Sequence, residues 1–387
     1  MSRIFEQAQA AGGTRVLILG AGAYPHARKA NLRVPELQPI SSAAKSAMDL
    51  AARIVGDWRD CFMKPLASVD LLVAGVGISA DPPLIEIDGL THRLDPPTME
   101  NVKQARDRWL MGAIAEDVLI FYCCGHGLLL PSAGQTFLTT SFGKDEYSPW
   151  GDTIALDDFA VGLKECAPRQ QWLFFDCCSN IPPIALRTPN ARGEPLVVSV
   201  AGTRNEMVRR NGDLSQVVIS SASPEASALG KDNRASRFME ALLEACEGVG
   251  CQRNTNGRWW VDDAGLLAAI ISYRYRVAPI EEEEYFKIPA IALLDFTETP
   301  RLLSVAAGPK CCLLVRTAPP HRLKDADLEV ACNGAQVGGH RKGPSVQIPY
   351  RQPVQSYLAY DVKATFDGEP PTSRQMIAIP PLVEAEF

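Results

Sequence analysis

The chain reads as an α/β domain built on a mostly parallel sheet, followed by a smaller all-β domain. Through the first 300 residues, short apolar runs of β type alternate with stretches of helical periodicity, the order that produces a parallel sheet covered on both faces. Several of these runs are apolar at every position, as strands buried on two faces are. Towards the end of the chain the segments shorten and are separated by Pro, Gly and Asp turns, the spacing of a small β-sandwich or half-barrel. The domains expected are therefore residues 1–300 and 301–387.

Val16-Leu17-Ile18-Leu19-Gly20 is the first strand. Gly20-Ala21-Gly22 after it invites comparison with a dinucleotide fingerprint, but position 25, where the third glycine belongs, is Pro25. A lone GxG is a weak signal, and no cofactor is expected. Ser41 and Ser42 look like caps for a helix over residues 43–54. Residues 69–74 form the next strand, then a Pro-rich loop, then an amphipathic helix from Met99 to Ile114. A third strand spans 117–124, a short strand or hairpin arm 136–140, a helix 156–165, and a fourth strand 171–176. Part of the polar stretch 180–214, which carries Arg187, Arg192, Arg204, Arg209 and Arg210 and an apolar island at 196–200, is expected to form a loop over the site. A strand at 217–221, a helix at 237–247 ended by Gly248, and a helix at 261–276 follow. Glu281 to Glu284 reads as a solvated acidic loop. The late short strands are placed at 312–315, 328–330, 346–348 and 357–360.

Composition narrows the class of function. With 46% hydrophobic and 22% charged residues, the chain is neither disordered nor fibrous. A net charge of −6 with no basic stripe argues against nucleic acid or a membrane surface as partner. The opening MSRIFEQAQAAGGTR has no apolar core and no cleavage pattern, so no signal peptide is expected. No run approaches the ~18 apolar residues of a bilayer span. Six of the eleven cysteines fall in three adjacent pairs, 123/124, 177/178 and 311/312. Adjacent cysteines are poor disulfide partners, and reduced thiols in a cytoplasm fit best.

Two strand ends carry the chemistry. Val118-Leu119-Ile120-Phe121-Tyr122-Cys123-Cys124 runs into Gly125-His126-Gly127, and Leu173-Phe174-Phe175 runs into Asp176-Cys177-Cys178-Ser179-Asn180. In open α/β sheets, loops leaving the carboxyl ends of neighbouring strands line one crevice. A cysteine attacks as thiolate, and a nearby imidazole both raises the thiolate fraction and later protonates a leaving amine. Of His26, His92, His126, His321 and His340, only His126 directly follows a core strand. Its flanking glycines permit a sharp turn and close approach of a substrate backbone. The N–H groups of Gly127 and Cys178 are the candidate oxyanion donors. A zinc site drawn from Cys123, Cys124, His126, Cys177 and Cys178 is the chemical rival, weakened by the absence of a CxxC knuckle; no metal is expected.

These paired motifs resemble the caspase/metacaspase superfamily of cysteine peptidases, in family order and over residues 14–300. The segment 154–158 sits where that family has a helix, and Val218 to Ala228 with Arg237 to Leu243 is similar to its strand and helix after the cysteine. The resemblance implies a three-layer αβα sandwich, Cys178 as nucleophile, His126 as base, and Cys177 as a structural neighbour. It implies an endopeptidase acting on a protein or peptide substrate, with Asp176 in the S1 pocket favouring Arg or Lys at P1. A cleavable loop after the nucleophile makes Arg192, Arg209 and Arg210 candidate processing sites, under an upstream activator or regulatory protein and in a stress or defence role. The sequence departs from the family at Ser179-Asn180, where His/Arg-Ser-Gly is usual, and at Ser42-Ala43-Ala44, where a second S1 acid is expected. The alternative is a non-catalytic caspase-like scaffold whose C-terminal β domain binds partners.

Overall fold

The computed structural model describes residues 2–27, 37, 39–75, 82–130, 134–145, 147–177, 192–197, 214–221, 234–277, 290–295, 299–305 and 308–387. The strands are β1 Arg3–Glu6, β2 Thr14–Ala21, β3 Leu66–Ala74, β4 Leu84–Ile87, β5 Leu90–Arg93, β6 Val118–Gly125, β7 Gly127–Leu130, β8 Gly134–Leu138, β9 Thr153–Ala155, β10 Gln170–Cys177 and β11 Ser215–Ser220. They continue as β12 Cys251–Thr255, β13 Arg258–Asp262, β14 Ala290–Asp295, β15 Arg301–Val305, β16 Lys310–Arg316, β17 Ala326–Cys332, β18 Ala335–His340, β19 Tyr350–Gln355, β20 Ala359–Phe366, β21 Thr372–Ile377 and β22 Leu382–Glu386. The helices are α1 Ser41–Val55, α2 Met99–Leu110, α3 Leu156–Leu163, α4 Arg237–Glu244 and α5 Asp263–Val277. The chain divides into two compact units, residues 1–240 with 287–300, and residues 241–286 with 301–387.

The first unit is mixed α/β around a seven-stranded sheet in the order β1-β3-β2-β6-β10-β11-β14. The five inner strands are parallel, and the edge strands β1 and β14 are antiparallel to their neighbours. After β2 the chain moves outward to β3, then returns past β2 to lay down β6. Strand order therefore reverses between β2 and β6, and the crevice beyond their carboxyl ends is where such sheets place ligands.

Alternation along each strand sorts the side chains by face. Leu17, Leu19, Phe121, Cys123, Leu173 and Phe175 share one core with Val102 and Trp109 of α2 and Phe159 and Leu163 of α3. The intervening residues meet α1, which approaches closely because position 20 carries no side chain. A Cβ on Gly20 would lie 2.8 Å from both the Ala43 carbonyl oxygen and the Ala47 Cβ.

One buried charge ties three elements of this unit. Asp70 of β3, its side chain 0% exposed, accepts from Arg3 Nη2 at 2.9 Å and from Arg108 Nη2 at 3.0 Å. It thereby joins the edge strand β1 and helix α2 to the sheet.

Where the structure differs from expectation, short-range physics accounts for it. Helix α1 takes Ile40 as N-cap without a side-chain bond, so Ser41 and Ser42 lie within the helix and Ser42 is buried. Helix α2 stops at Leu110 because Gly112 turns left-handed at φ +66°, a glycine-favoured helix ending. Helix α4 gives way after Glu244 to a π turn over Ala245–Val249, with Gly248 at φ +126°. Residues 84–93 form the hairpin β4–β5 rather than a loop, closed by Asp88 and Gly89 at φ +51° and +75°. Val261 belongs to strand β13, not to a helix; β12 and β13 are closed by Asn256 and Gly257 at φ +53° and +76°. Both pairs are the turn residues a two-residue hairpin demands.

In the second unit β12, β13 and β15 form one antiparallel sheet. Two further sheets, β19-β16-β22 and β18-β17-β20-β21, enclose a core of Leu313, Val315, Leu328, Val330, Val362 and their neighbours. Residues 346–348, expected to be a strand, lie outside the strands, bracketed by Pro344 and Pro349; pairing begins at Tyr350.

Replacing Asp70 with Asn would remove the buried carboxylate that Arg3 and Arg108 share, and should destabilise the protein by about 3 kcal/mol. Urea unfolding of wild type and Asp70→Asn checks this; coincident midpoints would contradict it.

Candidate functional site

The site is set by the pairing of β6 with β10. The two strands run parallel with Phe175 opposite Cys123, Asp176 opposite Cys124 and Cys177 opposite Gly125. Of the sequence-derived site residues, His126, Gly127, Asp176 and Arg192 are described. Cys178, Arg209 and Arg210 lie outside the described residues, as does most of the stretch 180–214.

His126 is half-buried, at the break between β6 and β7. Its backbone N–H donates to the Tyr24 hydroxyl at 2.8 Å, and that hydroxyl donates to the Ala21 carbonyl at 2.7 Å. The Tyr24 and His126 rings lie with centroids 5.1 Å apart. The end of β2 thus holds the turn that presents the imidazole. Gly125 is what lets it do so: a Cβ there would lie 2.6 Å from the Ala21 oxygen and 2.8 Å from the Tyr24 hydroxyl. Tyr24 has no mark in the local sequence, but it follows β2 at the point where strand order reverses.

Beyond His126 the chain enters β7, with Gly127 opposite Phe137 of β8. Leu138 N–H donates to the His126 carbonyl at 3.0 Å, which makes that pair the hydrogen-bonding one. Alternation in an antiparallel ladder then turns the Gly127 N–H away from β8.

The two faces of β10 differ in chemistry. On one face the Asp176 carboxylate is 2% exposed. Its Oδ2 accepts from the Tyr122 hydroxyl at 2.8 Å and from the Ser236 hydroxyl. Ser236 also accepts from Met239 N–H at 2.9 Å, and its own N–H donates to Ser46 of α1 at 2.8 Å. Burial pushes the Asp176 carboxyl above the ordinary carboxylate range, against the hydrogen bonds from Ser236 and Tyr122 that pull it down. Burial, then the neighbouring Asp176 charge, holds Cys124 well above the usual thiol value.

On the other face Cys177 is buried and receives Gln135 Nε2 at 3.4 Å, while Gln135 Oε1 accepts from Ser220 at 3.0 Å. The Cys123 thiol beside it, and burial, raise Cys177 well above the usual thiol value, the signature of an inert structural cysteine. Among the described residues no three His, Cys, Asp or Glu side chains gather as a metal-binding group. Cys123 and Cys124 face opposite sides of the sheet, which separates two of the ligands a zinc site would need.

Arg192 is exposed and forms an ion pair with Asp158 of α3 at 2.9 Å. The chain after it is paired to β9, with Glu194 N–H donating to the Thr153 carbonyl at 2.7 Å and Ala155 N–H to the Glu194 carbonyl at 2.9 Å.

No family model matches the chain, and no curated protein matches it. Among solved structures it is similar to the crystal structure of caspase-1 from Spodoptera frugiperda, at a TM-score of 0.40 and 9% sequence identity, over 80% of this chain and 98% of that one. A likeness of that size does not fix a function. Among the described residues no helix is long and apolar enough to cross a membrane.

Two outcomes are expected from these contacts. Gly125→Ala should destabilise by about 2 kcal/mol, since the new methyl meets backbone and a hydroxyl that already has two partners; unchanged urea unfolding would contradict the packing described. The raised Asp176 means the folded protein holds that proton more tightly than the unfolded chain. Its contribution to stability is therefore present below the ordinary carboxylate value and lost as pH rises through the folded one. The melting temperature of wild type should fall relative to that of Asp176→Asn as the pH rises above the ordinary carboxylate range. Parallel curves would contradict it.

Proposed function

We propose that the chain is a cysteine endopeptidase of the caspase/metacaspase kind, with Cys178 as nucleophile and His126 as its base. The observation that carries this reading is the register of β6 and β10. Cys177 stands opposite Gly125, so the next residue along each strand's chain is His126 on one and Cys178 on the other. A thiol and an imidazole delivered from neighbouring strand ends are what acyl transfer to sulfur requires.

In this reading His126 takes the Cys178 proton, and the thiolate attacks the scissile carbonyl. The N–H groups of Gly127 and Cys178 receive the oxyanion. His126 then returns the proton to the leaving amine, and water, activated by the same imidazole, hydrolyses the thioester. No metal or organic cofactor enters the chemistry. The α1 face and the α2–α3 face of the sheet would be the outer layers of a three-layer αβα sandwich. Residues 1–300 would carry the peptidase and 301–387 an accessory β module.

Asp176 is proposed as the S1 acid. A P1 guanidinium or ammonium arriving beside it would favour its ionised form, opposing the effect of burial. Arg192, Arg209 and Arg210 are proposed as processing sites in a chain that works in the cytoplasm on a protein substrate, under an activator or regulatory partner.

Wild type, Cys178→Ala and Cys177→Ala, each given fluorogenic peptides with Arg, Lys, Asp or Leu at P1, test the reading. Cleavage after Arg and Lys should vanish in Cys178→Ala and persist in Cys177→Ala. Cleavage after Asp or Leu would remove the role given to Asp176. No cleavage by wild type, before and after nicking between residues 180 and 214, would overturn the peptidase reading in favour of a scaffold.

A further inference from the structure

Gln135 of β8 is 7% exposed, and both ends of its side-chain amide are engaged by the strands that lead to the site. Oε1 accepts from the Ser220 hydroxyl of β11 at 3.0 Å. Nε2 reaches Cys177 of β10, at 3.4 Å to Sγ and 3.5 Å to the carbonyl oxygen. The reverse orientation of the amide would set two acceptors, Oε1 and the Cys177 carbonyl, against each other. The carbonyl therefore decides which end is the donor, and Ser220 donates to the other. The Gln135 backbone is fixed as well: its N–H donates to Asp157 Oδ2 of α3 at 3.1 Å, and it stands opposite Leu129 of β7. One buried residue thus ties the hairpin that follows His126 to the strand that precedes Cys178.

Backbone direction shows what this contact controls. Ser221 N–H donates to the Phe175 carbonyl at 2.8 Å, so that carbonyl points to the β11 side of β10. Carbonyls two residues apart on a strand point the same way, which turns the Cys177 carbonyl to the β11 side too. Strand β11 ends at Ser220, level with Phe175. Among the described residues the Gln135 amide is the donor that reaches the Cys177 carbonyl, and it extends that side of the ladder by a rung. A peptide unit is planar and trans, so the N–H that follows this carbonyl is directed the opposite way. That way lies β6, the strand that leads to His126 and Gly127.

We infer that Gln135 is a positioning residue: by holding the Cys177 carbonyl it aims the Cys178 N–H at the oxyanion, and Ser220 orients the amide that does so. The inference rests on the peptidase reading above and adds to it the side chain that aligns one oxyanion donor. Such a donor accelerates the reaction only if it is already aimed where charge develops. The contacts to Cys177 are long in the free protein, as active-site hydrogen bonds often are before substrate tightens them.

The test uses Gln135→Met, which keeps the length of the side chain and removes the amide donor. Two measurements on it separate aim from packing. In peptide cleavage, kcat should fall at least about tenfold with KM little changed, the pattern of an interaction made in the transition state. Alkylation of Cys178 by iodoacetamide is a displacement at carbon that forms no oxyanion, and its rate should match wild type. Ser220→Ala leaves the amide but removes its anchor; it should lower kcat by less than Gln135→Met, again with alkylation unchanged. It carries the test where Gln135→Met does not fold, as judged by urea unfolding.

An unchanged kcat in the variant that carries the test, or a fall in kcat matched by an equal fall in alkylation, overturns the inference. The peptidase then stands, because wild type still cleaves. No cleavage by wild type, before and after nicking between residues 180 and 214, overturns the peptidase reading and this inference with it.

Discussion

The parallel pairing of β6 with β10 is the constraint on which the candidate site depends. It sets Asp176 level with Cys124 and Cys177 level with Gly125. Because alternate residues face opposite ways, that one register separates the buried acid from the buried thiol. Asp176 turns towards Tyr122 and Ser236, while Cys177 turns towards Gln135 and Cys123. A slip of one residue would exchange these environments, placing a carboxylate in the aromatic and aliphatic core around Phe121 and Phe159. That cost is what holds the register, and the register is what aims the ends of the two strands at one crevice.

A second constraint acts from β2. The proposed base follows the end of β6, but its backbone is held by Tyr24, which follows the neighbouring strand β2. Gly125 lets the two strand ends touch. Strand β2 thus serves the site through the hydroxyl that holds the turn at His126. It does so where sheet order reverses, where two chains leave a sheet in opposite directions and open a gap between them.

The inner strands were legible because a strand buried on both faces must be apolar throughout, and Val16–Leu19, Val118–Tyr122 and Leu173–Phe175 are. Their ends were legible because Gly-His-Gly and Asp-Cys-Cys interrupt the apolar runs with an imidazole between glycines and a carboxylate beside two thiols. Edge strands were not legible: β1 is four residues long, with charge at both ends, and it joins the sheet through its ladder to β3 and the ion pair of Arg3 with Asp70. The two hairpins carried their Asp-Gly and Asn-Gly signals, but the first was masked by surrounding prolines and the second by the helical periodicity that follows it. Tyr24 could not be read locally at all, since its partner lies 102 residues away. The residues that line Asp176 share this difficulty; Ser236 is 60 positions distant and acquires meaning only once α4 is placed.

The proposal that one cysteine is a base-activated nucleophile is tested most directly by timed alkylation. Wild type and His126→Ala would be treated with limiting iodoacetamide near neutral pH, and each cysteine followed by peptide mass spectrometry. Cys61, Cys166 and Cys332 are half-buried and the other described cysteines buried, so they supply the slow background. The account predicts that Cys178 is modified first in wild type, faster than a model thiol, and falls to the rate of the half-buried cysteines in His126→Ala. Modification of Cys178 no faster than Cys61, or a rate unchanged by loss of His126, would contradict it.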